Sequence, residues 1–254
     1  MKTHIYISIF LSFVSFTTLA QHVTYNNVWS RFSLLQPITE KWRGEVEFQH
    51  RRQNNYTAPT KSAFDENLLS SVRTWIHYQH MEDLSLSISP LSYYLHNSIV
   101  ATDHHNYDIQ QKKEVRFSLA ANLKHEIAKN LWVIDRTCFE YRDFQSTTTD
   151  FIRMRARIGL RYEFSQKWNF TFYDEIFLNL KGAEPVNFMD QDRLALILNY
   201  KPTSHIRIES GYILLTQVPK NTNDFLHKNN FLLHLYYTLP HNEHCNHSKT
   251  QHHS

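Results

Sequence analysis

Nowhere in its 254 residues does this chain carry the roughly 20 uninterrupted apolar residues that a helix needs to cross a bilayer. That lack excludes a helical membrane protein. Cysteine is scarce too: Cys138 and Cys245 are too few for a disulfide framework, although an exported compartment would permit one bond. There are only four glycines, and no linker-like stretch divides the chain, so its length reads as one domain. Nor is there a strong excess of one charge. The 27 Lys and Arg stand against 24 Asp and Glu, interleaved along the chain, and this balance argues against a nucleic-acid partner.

What is present begins with Met1 to Ala20: one cation at Lys2, an apolar run from Ile5 to Phe16, and a small-residue exit at Thr18-Leu19-Ala20. This is the layout of a cleavable secretory signal, with Gln21 as the first mature residue. The remainder is polar on average yet 14% aromatic. A β-barrel in the outer membrane accommodates both properties, because lipid-facing and lumen-facing residues alternate along each strand and rings gather at the two interfaces.

Period-two alternation is the recurring pattern. From Ile152 to Phe164, Arg153, Arg155, Arg157, Gly159 and Arg161 share one face, while Ile152, Met154, Ala156, Ile158, Leu160, Tyr162 and Phe164 share the other. A helix would scatter those arginines around its circumference; a strand collects them on one side. The same alternation runs from Val115 to Lys124 and over Arg43, Glu45, Glu47, Gln49 and Arg51, opposite Val46 and Phe48. Further strands are predicted at 23–35, 67–79, 84–96, 131–144, 168–180, 191–201, 205–217 and 228–239. Short connections, such as 36–41, 80–83 and 126–130, alternate with longer ones at 53–66, 97–112, 145–150, 181–190 and 218–227. Short turns at one rim and long loops at the other are how outer-membrane barrels are built, the short ones periplasmic.

These segments number eleven, whereas single-chain bacterial barrels have an even count. The expectation is therefore an all-β, closed antiparallel up-and-down transmembrane barrel of about 12 strands, with 10 as the fallback and a strand missed near the N-terminus or inside 97–112. The domain layout is a signal peptide at 1–20, the barrel at 21–239 and a His-rich, disordered tail at 240–254. The aromatic-bearing last strand from Phe231 to Leu239 resembles the signal read by the barrel-assembly machinery, which with outer-membrane lipids is an expected partner. The location expected after signal cleavage is the bacterial outer membrane. A soluble lipocalin-like barrel is the architectural rival, and it would turn its apolar face inward.

Several residues together resemble a known group: Trp29 in the first strand, Lys41-Trp42 leading into a charged strand that ends Arg51-Arg52, Arg136-x-x-x-Glu140-x-Arg142, Arg157-x-x-x-Arg161-Tyr162, Glu175 and Gly211-Tyr212. This pattern resembles the uncharacterised outer-membrane barrel family catalogued as domain of unknown function 2490. Cys138 departs from it, standing where a polar or charged residue is expected between Arg136 and Glu140. The resemblance implies the barrel and the outer membrane, and brings no activity with it.

The inward faces carry the most informative chemistry: Arg43, Glu45, Glu47, Arg51, Arg116, Arg136, Glu140, Arg142, Arg153, Arg155, Arg157, Arg161, Glu175, Arg193, Arg207 and Glu209. Each Arg near the bilayer midplane would cost about 2–4 kcal/mol on the lipid side, so these ions must face the lumen. The reading taken is a structural scaffold with a charged, salt-bridged lumen, and two alternatives stand beside it, a pore for small solutes and an enzyme. Opposite charges can pair across strands and fill a narrow lumen, leaving a structural scaffold. Unless Glu140 and Glu175 neutralise the four arginines of 153–161, a positive wall remains and the barrel is a passive anion-preferring pore. A lipid-active enzyme would place Ser and His at the lipid-facing rim, where His50 has the parity of Val46 and Phe48, with His77 and His96 as further histidines; no catalytic residue is assigned.

Aromatics at strand ends, among them Trp29, Trp42, Trp75, Trp132, Trp168, Tyr93, Tyr94 and Phe144, fit interfacial girdles. Trp42, Trp132 and Trp168 each follow a short turn, which puts them at the periplasmic rim. The tail holds His241, His244, Cys245 and His247, whose ring nitrogens and thiol are transition-metal donors; the surrounding Asn, Ser, Thr and Gln favour a disordered segment with incidental metal affinity. No cofactor is expected.

Overall fold

The structure, a computed structural model, describes residues 24–54, 62–103, 106–145, 147–217 and 226–240. The signal segment and the tail from 241 onward, with His241, His244, Cys245 and His247, lie outside the described residues. Those described form eleven strands: β1 (Thr24–Pro37), β2 (Trp42–Gln53), β3 (Glu66–Gln79), β4 (Leu84–Asp103), β5 (Asn106–Ala128), β6 (Leu131–Phe144), β7 (Phe151–Glu163), β8 (Trp168–Lys181), β9 (Met189–Tyr200), β10 (Ile206–Gln217) and β11 (Leu226–Thr238). One turn of 3-10 helix, Pro185–Asn187, precedes β9.

Each strand pairs antiparallel with its neighbour in sequence, and the sheet closes where β1 meets β11. That junction is parallel: Trp29 lies opposite Leu232, Arg31 opposite His234 and Ser33 opposite Tyr236. The odd count read from the alternation is thus the real one among the described residues. It stands between the twelve expected and the ten held in reserve, and the barrel is up-and-down with one parallel seam. The physical reason is that closure demands only that every backbone donor and acceptor be paired, and a parallel ladder does this as an antiparallel one does. Among the described residues no further strand lies inside 97–112. Instead the β4–β5 ladder runs on through it, with Asn97 opposite Gln111 and Ile99 opposite Ile109, where a loop was expected.

The alternation decides what meets the exterior. Phe48, Phe139, Ile158, Leu196, Tyr212, Phe231 and Leu233 are among the large apolar side chains left exposed on the outside. Their strand neighbours Glu47, Glu140, Arg153, Glu175, Arg193 and His234 are buried in the lumen. Polarity is therefore inverted relative to a soluble barrel: the apolar face points outward.

The lumen is not ionic throughout. Tyr173, Ala195, Ile197, Ile213, Leu215 and Leu232 point inward and pack with Trp29 in one buried cluster. Eleven strands enclose more room than the eight that side chains alone can fill, and less than the sixteen or so of wide porins. A partly filled lumen is the expected outcome of that geometry.

Candidate functional site in the barrel lumen

Period two along each strand, combined with the register between strands, brings charges on neighbouring strands to the same height. Three glutamates act as hubs. Glu114 accepts from Arg116 at 2.7 Å and Arg142 at 2.7 Å, and from His96 at 2.9 Å when that nitrogen carries the proton. Glu140 accepts from Arg153 at 2.6 Å, Arg155 at 3.0 Å and Arg116 at 3.2 Å. Glu175 accepts from Arg155 at 2.8 Å and Arg157 at 3.2 Å, with Arg193 at 3.7 Å. Arg153 also reaches Asp190 at 2.8 Å. Arg116 and Arg155 each bridge two hubs, so β5 to β9 are laced by one continuous ribbon of alternating charge. On the opposite wall Glu47 holds Arg73, Glu45 lies 2.8 Å from His77, and Arg207 lies 3.3 Å from Glu209. Such charge-assisted, partly bidentate contacts fix geometry more than they add stability.

The four arginines of β7 are therefore largely neutralised, since Glu140 and Glu175 hold Arg153, Arg155 and Arg157. The uncompensated positive charge lies elsewhere. Arg31, Arg43, Arg51, Arg136 and Arg161 form no ion pair among the described residues. All five line a cavity of about 500 Å³, to which every strand contributes and which reaches Glu82 and Asp83 in the short β3–β4 turn.

Aromatic rings support guanidiniums both with and without a carboxylate partner. Arg51 lies 3.7 Å from the centroid of Trp29, Arg116 4.0 Å from Tyr94, Arg157 4.0 Å from Tyr173, Arg207 3.6 Å from Tyr236, and Arg136 5.4 Å from Trp75. This corrects the girdle expectation for three residues. Trp29, Trp75 and Tyr94 are buried in the lumen, 1%, 6% and 4% exposed. Trp132 differs from expectation as well: in the β6 register it shares the inward parity of Arg136 and Cys138, and its ring lies 5.3 Å from the Lys124 ammonium. Trp42 and Trp168 do sit outside at the short-turn rim, Trp42 against Tyr78 at 4.7 Å and Trp168 stacked on Tyr200 at 4.1 Å. An aromatic at a strand end marks an interface only if its parity is outward.

Parity also places further charged residues in the lumen. Glu114 stands two residues before Arg116, and Arg31 two after Trp29, on the same faces. Arg73, Asp190 and the lumen histidines His77, His96 and His234 come in only through cross-strand register. On the outer face, His50 Nδ1 lies 3.1 Å from Ser70 Oγ. No carboxylate or amide bonds to His50 among the described residues, so the pair lacks the third group that would orient the imidazole as a base.

Residues 26–225 match the family described as "Protein of unknown function (DUF2490)". The chain belongs to that family. No curated protein matches it. Among solved structures, a NanC porin in a rhombohedral crystal form is similar, with 14% identity over 85% of this chain and 98% of that one and a TM-score of 0.50. The outer-membrane protein OmpT of Vibrio cholerae also matches. Its outer-membrane expressed form shows 9% identity over 73% of this chain and 58% of that one, with a TM-score of 0.37. Its in-vitro folded form shows 10% identity over 81% and 91%, with a TM-score of 0.36. The likeness to the porin shows the fold of this family member, a closed barrel of the outer-membrane type.

Proposed function

We propose that this protein is an outer-membrane channel with a narrow, positively charged lumen through which small anions pass in preference to cations. One observation carries the reading: five cavity-lining arginines, Arg31, Arg43, Arg51, Arg136 and Arg161, have no carboxylate partner among the described residues. Charged walls in a confined, low-dielectric passage concentrate counter-ions and repel co-ions. The outer-membrane location is supported by the apolar outer belt and by the contrast between short turns and longer loops. Lipid is then the partner of that belt, and the barrel-assembly machinery the partner during insertion.

The salt-bridged ribbon on β5 to β9 serves as a stiff wall. The unpaired arginines, of which Arg31 and Arg51 lie by the Trp29 ring and Arg136 by Trp75, remain free to meet a passing anion. The test is planar-bilayer conductance of refolded protein under a potassium chloride gradient. The expected reversal potential has the sign of chloride preference, and Arg136→Glu combined with Arg161→Glu shifts it toward potassium. A silent bilayer would leave the barrel as a salt-bridged scaffold. Selectivity unchanged by the double reversal would remove these arginines from the mechanism.

A further inference from the structure

Five buried hydrogen-bond donors on residues that line the same cavity have no acceptor among the described residues. They are Trp29 Nε1, Arg31 Nε, Gln49 Nε2, Arg51 Nε and Arg193 Nε. Register explains the assembly: on β1 and β2, Trp29 lies opposite Arg51 and Arg31 opposite Gln49. Arg193 arrives from β9, across the seam. All three guanidinium carbons lie within 6 Å of the Trp29 ring, Arg51 at 3.7 Å, Arg193 at 5.2 Å and Arg31 at 5.9 Å. Trp29 is 1% exposed, Gln49 5% and Arg193 9%, so water solvates these groups poorly. The orientation of the Gln49 amide is set by its oxygen, which accepts from Arg51 Nη2 at 3.2 Å, and its nitrogen is left pointing elsewhere.

A protein seldom buries donors unpaired, and it seldom crowds three like charges around one ring. Of the protein's own anions nearby, Glu47 is committed to Arg73 and Glu175 Oε1 to Arg155 and Arg157; Glu175 Oε2 makes no hydrogen bond, lies 3.7 Å from Arg193 and offsets the charge of that one guanidinium, leaving Arg31 and Arg51 without an anion. The missing partner must therefore bring acceptors without donors and carry negative charge. An oxoanion does both, because its several oxygens satisfy several N–H groups at once and its charge offsets the guanidiniums. A halide supplies charge without that spread of acceptors.

We propose that Trp29, Arg31, Gln49, Arg51 and Arg193 form a binding site for a small oxoanion, a carboxylate or phosphate group, within the lumen. The site deepens the channel reading and rests on it in one respect, that solutes reach the lumen. As a station along the passage it would favour acidic solutes over chloride.

The experiment follows the indole N–H resonances of isotope-labelled tryptophan in refolded full-length protein in detergent micelles. The five tryptophans give five signals, and Trp29→Phe identifies its own. Inorganic phosphate and acetate are titrated separately, with sodium chloride at matched ionic strength as the control. The expected result is a saturable shift of the Trp29 signal with phosphate or acetate and none with chloride; the tighter of the two names the favoured group. Arg51→Gln and Arg193→Gln should each weaken binding roughly tenfold, as expected for losing one charge-assisted contact. The other four signals stay in place if the variants remain folded. A shift that chloride reproduces, or one that neither variant weakens, would overturn the site. A saturable shift in a barrel that conducts nothing would end the channel reading and leave the site; an anion-selective current without the shift would do the reverse.

Discussion

Ser33 on the first strand and His234 on the last hold each other across the seam, Oγ and Nε2 lying 2.8 Å apart in a fully buried contact. Four residues back along β11, toward the long loops, Asn27 Nδ2 donates to Asn230 Oδ1 at 2.8 Å, and the Asn230 amide donates to the Ile213 carbonyl at 3.0 Å. A parallel ladder is slightly less stable per residue than an antiparallel one, and a slip of one residue would turn every inward side chain of a strand outward. The buried polar pairs fix that register. Asn230→Ala leaves the Asn27 amide without its acceptor, and we expect it to cost about 1–3 kcal/mol. The midpoint of urea unfolding in micelles reads this loss, and an unchanged midpoint would mean that the backbone ladder holds the seam unaided.

Glu140 is the hub on which three arginines depend. Arg116, Arg153 and Arg155 each keep a second carboxylate, Glu114, Asp190 and Glu175, yet losing Glu140 leaves the buried ribbon one positive charge in excess, and breaking such a cluster costs up to about 3–5 kcal/mol. Glu140→Gln should therefore lower the unfolding midpoint by a corresponding amount. In the same protein it should strengthen chloride preference in the bilayer, since a negative charge has left the lumen. Destabilisation without the change in selectivity would separate the ribbon from the conducting path.

The outward belt makes its own claim at Ile158, which is 62% exposed. If hydrocarbon covers it, Ile158→Arg costs about 2–4 kcal/mol at the midplane. On a water-exposed surface the same change would be close to neutral. Unfolding from lipid vesicles, compared between the two side chains, decides which medium the belt meets.

Gly159 is opposite Tyr173 in the β7–β8 ladder, and an added Cβ would meet the Tyr173 Cβ at 2.6 Å and collide with the Phe172 carbonyl. Neither atom belongs to a flexible side-chain end, so the wall must deform to admit it. We expect Gly159→Ala to lose about 1–3 kcal/mol, as overpacking does. It should also disturb the Tyr173 ring, over which Arg157 lies. Refolding yield and urea midpoint measure the first effect, and near-ultraviolet circular dichroism the second.

The alternation in β7 was legible residue by residue, because arginines at 153, 155, 157 and 161 leave no other period. The eleven strands were legible too, and only the rule of even numbers argued against them. The fate of the β7 charge was not. Whether Arg155 is free or shared between Glu140 and Glu175 depends on β6 and β8 lying beside it at a definite offset. The strand-end position of Trp29 suggested an interface, but its inward parity and its β9 neighbour Arg193 send it to the centre of the lumen. Arg31 and Glu114 are legible from the same parity, whereas His234 has no signal until β11 is set against β1.

What the sequence determined by itself is the partition of side chains between the two faces of each strand, since the pleat is a property of the local backbone and needs no neighbour. What only the tertiary structure decided is which faces meet: the parallel closure of β1 on β11, the neutralised arginine strand, and the gathering of unpaired donors around Trp29. Those follow from register between segments far apart in the chain, and a period of two carries no information about offset.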